Sequence, residues 1–184
     1  MYKLIFFLLI SINVGLSAQT NIEYLPKLLN TELSKANGYT PVLLECAQKN
    51  EKSSINGKYF AVSNFLENSN VKYVYVGRVK SCRAGGCSIN NTISENNLSE
   101  YFDYFILYNK SLSVELVRVY NYQATHGQEV TNKSWLKQFK NYDGSTELTV
   151  GKNIDAISGA TISVNGLAAD IEHKTANLKQ TILQ

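Results

Sequence analysis

Two runs rich in aromatic and β-branched residues, Tyr101–Tyr108 and Val114–Tyr122, flank the short polar segment Asn109-Lys110-Ser111. Runs of this kind joined by so brief a turn predict an antiparallel hairpin. A lone hairpin is marginal in water, so it needs further strands or a helix against its apolar face. The rest of the chain offers both. Val71 to Val79 is a strand candidate rich in Val and Tyr, Tyr59 to Val62 begins a mixed region, and Val42 to Cys46 is a short apolar piece. Ile22 to Ala36 has helical spacing and stops at Asn37-Gly38. Trp135 to Phe139 suits a short helix, Lys140 to Gly144 a turn, and Leu148 to Val150 a short strand. After Thr161, the positions of Val164, Leu167, Ala168 and Ile171 form one face of a long helix, with Leu178 and Ile182 further on. The expected class is α+β: a small, mostly antiparallel sheet with flanking helices.

The first residues read as a secretory signal. Lys3 supplies the positive start, Leu4 to Ile12 the apolar run, and Gly15-Leu16-Ser17-Ala18 the small-residue exit, with cleavage expected before Gln19. The apolar run is too short to span a membrane as a helix. The expected organisation is a signal peptide over 1–18 and a single domain whose N-terminal part covers 19–99 and whose core covers 100–184. The expected location is periplasmic or otherwise secreted. A net charge of +3, lower by one once Lys3 is removed, gives no case for nucleic-acid binding. Twelve Tyr, seven Phe and one Trp point to an ordered domain rather than a solvated chain.

The chemistry concentrates in Asp155-Ala156-Ile157-Ser158-Gly159-Ala160-Thr161. Ser158, Gly159 and Thr161 fall at or just before the start of the last helix. Unpaired amides and the positive dipole end favour a phosphate there. Gly159 permits a sharp turn or a close backbone approach, and Ala160 keeps the site uncrowded. Ser163 is the nearest competing hydroxyl downstream, but the helix should turn it away from those amides. No side chain beside Thr161 in sequence supplies a base of the His type, so Thr161 is not expected to activate itself as a nucleophile.

This segment resembles the attachment motif of the FMN-binding domain family, Asp-x-x-Ser/Thr-Gly-Ala-Thr. Tyr122 to Glu129 followed by Trp135 to Phe139 is similar to that family's Thr-Pro-Gly segment and the Trp/Phe-containing helix behind it. Thr125 and Gly127 match, while His126 stands where many members have Pro. The resemblance covers about residues 100 to 175. It implies FMN held by a phosphoester bond on Thr161, with Ser158, Gly159, Ala160 and Asp155 around the bond and Thr125, His126 and Gly127 lining the flavin. It also implies a dedicated flavin transferase, using FAD and a divalent metal, that makes the bond. Asp155 either helps that transferase recognise the segment or caps the loop. His126 is either a solvated loop residue or a group that contacts the flavin and manages its proton. His173, on the last helix, is expected at the surface.

No Gly-x-Gly-x-x-Gly follows a strand, so no nicotinamide site is read. Electrons would come from a redox partner protein, a membrane electron-transport complex being one option, and the chain would be an electron carrier rather than a stand-alone enzyme. The rival readings are a secreted flavin-binding sensor or assembly module without an electron-transfer role, and a structural domain in which Asp155 to Thr161 merely starts a helix. Cys82 and Cys87 enclose Arg83-Ala84-Gly85-Gly86. An exported chain favours a disulfide between them, and the glycines allow the tight turn it needs. A redox-active pair, with Arg83 favouring the thiolate, and a metal site are the alternatives. Cys46 is the odd cysteine, either buried and free or paired between molecules.

Overall fold

A computed structural model describes residues 21–46, 57–63, 69–81 and 100–182. The signal segment 1–18, Cys82 and Cys87 lie outside the described residues.

Among the described residues, five strands form one antiparallel sheet in chain order: β1 Leu43–Glu45, β2 Gly57–Val62, β3 Tyr73–Lys80, β4 Tyr101–Tyr108 and β5 Val114–Tyr122. Strands from before and after residue 100 therefore share one sheet. The hairpin is β4–β5, with Ile106 opposite Val117, and β3 lies on its other side, with Tyr75 opposite Ile106. Helix α1, Lys27–Asn37, covers one face and helix α3, Thr161–Ile182, the other. This agrees with the α+β class expected from the pattern.

Each face has its own apolar cluster. Leu29 and Leu33 of α1 meet Phe60, Val74, Val76, Phe105 and Leu107. Val164, Leu167, Ile171 and Leu178 of α3 meet Tyr59, Tyr75, Tyr104, Ile106 and Val117. The central strands are buried on both sides, which is why their sequences read as nearly continuous apolar runs. Two register shifts in the β4–β5 ladder, at Asp103/Tyr104 and Leu107/Tyr108, break strict alternation. They keep Val114, Val117, Val119 and Tyr122 on the α3 side, although the first and last steps in that series are of odd length.

Tyrosines of the sheet fix α3. The Tyr59 hydroxyl donates to the Lys174 carbonyl (2.8 Å), Tyr104 donates to Asp170 Oδ2 (2.6 Å), and Tyr108 and Thr175 share a hydroxyl hydrogen bond (3.2 Å). Burial drives the Tyr104 and Tyr108 phenols far above their ordinary range, so both act only as neutral hydrogen-bonding groups. Gly166 lets α3 approach β3, because a Cβ there would sit 3.0 Å from Val79 Cγ1.

Two expected elements differ. The first helix starts at Lys27, not Ile22, because Pro26 precedes it in an extended conformation and disfavours helix in the residue before it. It does end at Asn37, with Gly38 in the left-handed region donating to the Ser34 carbonyl. Leu148 to Val150 is not a strand. Lys152, Asn153 and Ile154 all donate their amides to the Thr149 carbonyl, which closes the segment into a tight turn with one bridge, Val150 to Ile154. The Trp135 helix is present as α2, Lys133–Leu136, running on into a 3-10 turn over Lys137–Phe139. Asn132 caps it, its Oδ1 accepting from the Ser134 amide at 2.8 Å. Among the described residues, no helix is long and apolar enough to cross a membrane.

Candidate functional site at the start of helix α3

The loop before α3 is held by α2 rather than by its own side chains. The Trp135 indole Nε1 donates to the Asp155 carbonyl (2.9 Å), and the Asp155 amide donates to Gln138 Oε1 (2.8 Å). Ile154, just upstream, is buried. The chain then turns: the Ala160 amide donates to the Ile157 carbonyl at 3.1 Å, with Gly159 at φ 79°. That conformation is costly for any residue with a Cβ, which explains the glycine. Nothing lies within 4 Å of the position a Gly159 Cβ would take, so the turn opens to solvent.

Helix α3 begins directly after this turn. Val164 donates the first helical bond back to the Ala160 carbonyl (2.9 Å). The amides of Thr161, Ile162 and Ser163 have no carbonyl four residues back within the helix. Ala160 is 2% exposed, and its methyl cannot accept a hydrogen bond from them. Thr161 is exposed beside these amides, as are Ser158, Gly159 and Asp155. Ile162 is 47% exposed. The two neighbouring hydroxyls thus differ sharply. Ser163 is 2% exposed, and its Oγ is 2.8 Å from Ser81 Oγ and 3.3 Å from the Tyr122 hydroxyl.

The second loop follows β5. The Thr125 hydroxyl donates to Glu100, and the Tyr122 hydroxyl donates to the His126 carbonyl. Thr125 and His126 are exposed, whereas Gly127 is buried at φ 87° against α3. A Cβ on Gly127 would stand 3.0 Å from Ser163 Oγ, 3.1 Å from the Tyr122 hydroxyl and 3.3 Å from Ala160 Cα. The Thr125-His126-Gly127 and Asp155–Thr161 segments, far apart in sequence, are therefore in contact through Gly127 and Ala160. On the other side, Asn165 Nδ2 donates to the Thr161 carbonyl (2.8 Å). An open groove of about 530 Å³ begins at Asn165 and runs along α3 past Ala168 and Glu172.

Sequence reasoning assigned no role to Ser81, Glu100 or Tyr122, and cast Ser163 only as a competitor. All four depend on contacts across the fold. Trp135 stood within a recognised motif, but its bond to Asp155 was not legible. His173 is exposed, as expected, and lies on the rim of the groove. Cys46 is half-buried and free, and burial raises its thiol pKa. Among the described residues, no group of three or more His, Cys, Asp or Glu side chains could hold a metal ion.

The geometry defines a class before it defines a family: an α+β domain that presents an exposed hydroxyl at the positive end of a long helix, a place suited to a phosphate group. Residues 101–173, from β4 into α3 and including both loops, match the FMN-binding domain. That match makes this segment similar to the FMN-binding domain family and supports flavin binding by it. No curated protein matches the chain.

Proposed function

We propose that the protein is an extracytoplasmic electron carrier with FMN esterified to Thr161. The observation that carries this reading is the contrast between two hydroxyls two residues apart. Thr161 is open to solvent at the three unpaired amides of α3, while Ser163 is buried in a hydroxyl cluster with Ser81 and Tyr122. The residues fit a phosphoester. The amides of Thr161, Ile162 and Ser163 would hold its oxygens, Gly159 leaves the approach clear, and the helix dipole favours the negative charge.

A threonine hydroxyl needs a base to become a nucleophile, and no His lies next to Thr161 in sequence. A flavin transferase with a divalent metal therefore supplies the activation. The Thr161 Oγ–phosphorus bond forms as the pyrophosphate bond of FAD breaks. AMP leaves, and the threonine proton passes to the transferase. Ser158, Ala160 and the clamped Asp155 present the segment to that enzyme. Bound FMN supplies one- and two-electron transfer. The chain's own part is to tether it, to keep the ring near the Thr125–Gly127 loop and to leave an edge accessible to a redox partner protein, with a membrane electron-transport complex among the options. Export before Gln19 places the carrier outside the cytoplasm.

The test is co-expression of the wild type, Thr161→Ala and Ser163→Ala with a flavin transferase, followed by denaturation and in-gel flavin fluorescence. The wild type and Ser163→Ala should fluoresce and Thr161→Ala should not. Fluorescence on Thr161→Ala would sink the assignment. A dark wild type, with the transferase shown active on another substrate, would sink the covalent reading altogether.

A further inference from the structure

At the β5 edge of the sheet, α1, β5 and the segment after α2 enclose a cavity of about 340 Å³ that shares no residue with either flavin loop. Its floor includes Leu107, Leu116 and Leu136; its rim carries Arg118, Lys137 and Lys140. Glu32 is shared by Lys35 and Arg118, both at 3.6 Å, and Glu115 pairs with Lys140 at 2.9 Å. Lys137 has no carboxylate partner among the described residues. The rim therefore carries an excess of positive charge.

Arg118 carries a second signal. Its Nε is buried and makes no hydrogen bond among the described residues, and Nη1 donates only to the neighbouring Val117 carbonyl at 3.0 Å. The Glu32 oxygen at 3.6 Å is beyond hydrogen-bond range. A buried guanidinium donor without an acceptor is costly, and Arg118 lines the half-open pocket from which one could reach it.

We infer that this cavity binds a small amphipathic monoanion: a carboxylate on a short apolar body. The carboxylate would accept from Arg118 and Lys137, and the body would lie over Leu107 and Leu116. The volume falls at the lower end of small-molecule sites, roughly 300–1,000 Å³, so the body must be short. The two rim glutamates oppose a multiply charged anion such as phosphate.

Isothermal titration of the mature protein from Gln19 onward, loaded with flavin, with sodium octanoate tests this, with 1-octanol and inorganic phosphate as comparators. Octanoate should bind at one site, about tenfold or more tighter than octanol through its charge-assisted hydrogen bonds, and phosphate should give no saturable heat. Lys137→Ala, at an exposed position, should weaken octanoate by about threefold to tenfold and leave octanol unchanged. Arg118→Lys keeps the charge and the Glu32 pairing but removes the Nε donor, and should weaken octanoate about tenfold. Ala36→Phe, on the α1 wall, should abolish both. Absence of a saturable octanoate site, equal binding of octanoate and octanol, or an octanoate affinity unmoved by Lys137→Ala overturns the inference. Lys137→Ala alone decides if Arg118→Lys does not fold.

Discussion

Replacing Gly127 with alanine tests whether the approach of the Thr125–Gly127 loop to α3 is as close as the structure has it. Two costs add. An alanine at φ 87° sits in the left-handed region, at about 1–2 kcal/mol. Its Cβ would also stand 3.0 Å from Ser163 Oγ, 3.1 Å from the Tyr122 hydroxyl and 3.3 Å from Ala160 Cα. The Ser163 and Tyr122 hydroxyls can shift only by straining their shared hydrogen bond and the Ser163–Ser81 bond, and Ala160 is fixed as the residue whose carbonyl takes the first helical bond of α3. The loop must therefore retreat by a few tenths of an ångström and stretch the Tyr122–His126 hydrogen bond, at about 1 kcal/mol more. The sum is about 2–3 kcal/mol, read by urea unfolding as a lower midpoint at unchanged slope. Part of the second cost disappears when Ser163 loses its oxygen. Gly127→Ala and Ser163→Ala should therefore be non-additive, with a coupling of about 0.5–1 kcal/mol in favour of the double variant. A loss below 0.5 kcal/mol, or strict additivity, would refute the close approach.

Trp135→Phe removes the indole donor to the Asp155 carbonyl and leaves Gln138 as the remaining clamp. The lost hydrogen bond, about 1 kcal/mol, should speed hydrogen exchange of the 155–160 amides about fivefold, and unchanged exchange would show that the clamp is idle. Asp103, fully buried, accepts from Arg78 through two bonds of 2.6 and 2.9 Å and from Asn121 at 2.8 Å. Asp103→Ala should cost about 3 kcal/mol or more in chemical unfolding, because it strands the guanidinium; a cost under 1 kcal/mol would contradict that account. Protein recovered from the exported fraction should begin at Gln19 and carry Cys82 linked to Cys87. A Met1 start, or two thiols that alkylate freely without reductant, would remove the respective proposal.

The parts of the fold legible in the sequence are those with a sustained period. The β4–β5 hairpin and α3 are long enough for their patterns to outweigh local noise. The β5 bulges were not legible, since a step from Val114 to Val117 looks like broken alternation until the partner strand shows where the extra residue goes. Leu148 to Val150 misled because three β-compatible residues mean little without a partner strand, and the Thr149 turn won. The start of α3 at Thr161 was legible because the small residues and the onset of helical spacing coincide within a few positions. Helix geometry predicts only that Ser163 turns away from the free amides; its burial and its bond to Ser81 have no local signal, because β3 brings that serine in from 82 positions away.

Helix α2 ties these observations together. A helix of four residues has no stability of its own, since one turn does not repay its nucleation. Its position must be dictated by what it touches. Asn132 caps its start, Leu136 and Phe139 anchor it in the core, and alternate sides of the same short segment serve two places. Trp135 and Gln138 hold the backbone of Asp155 in the loop before α3, while Leu136 and Lys137 line the cavity at the β5 edge. The 155–161 segment, built largely of small residues, is thus positioned in part by the Trp135 and Gln138 side chains behind it. That arrangement leaves the side chains of Ser158 and Thr161 exposed while the backbone of Asp155 is held from the far side.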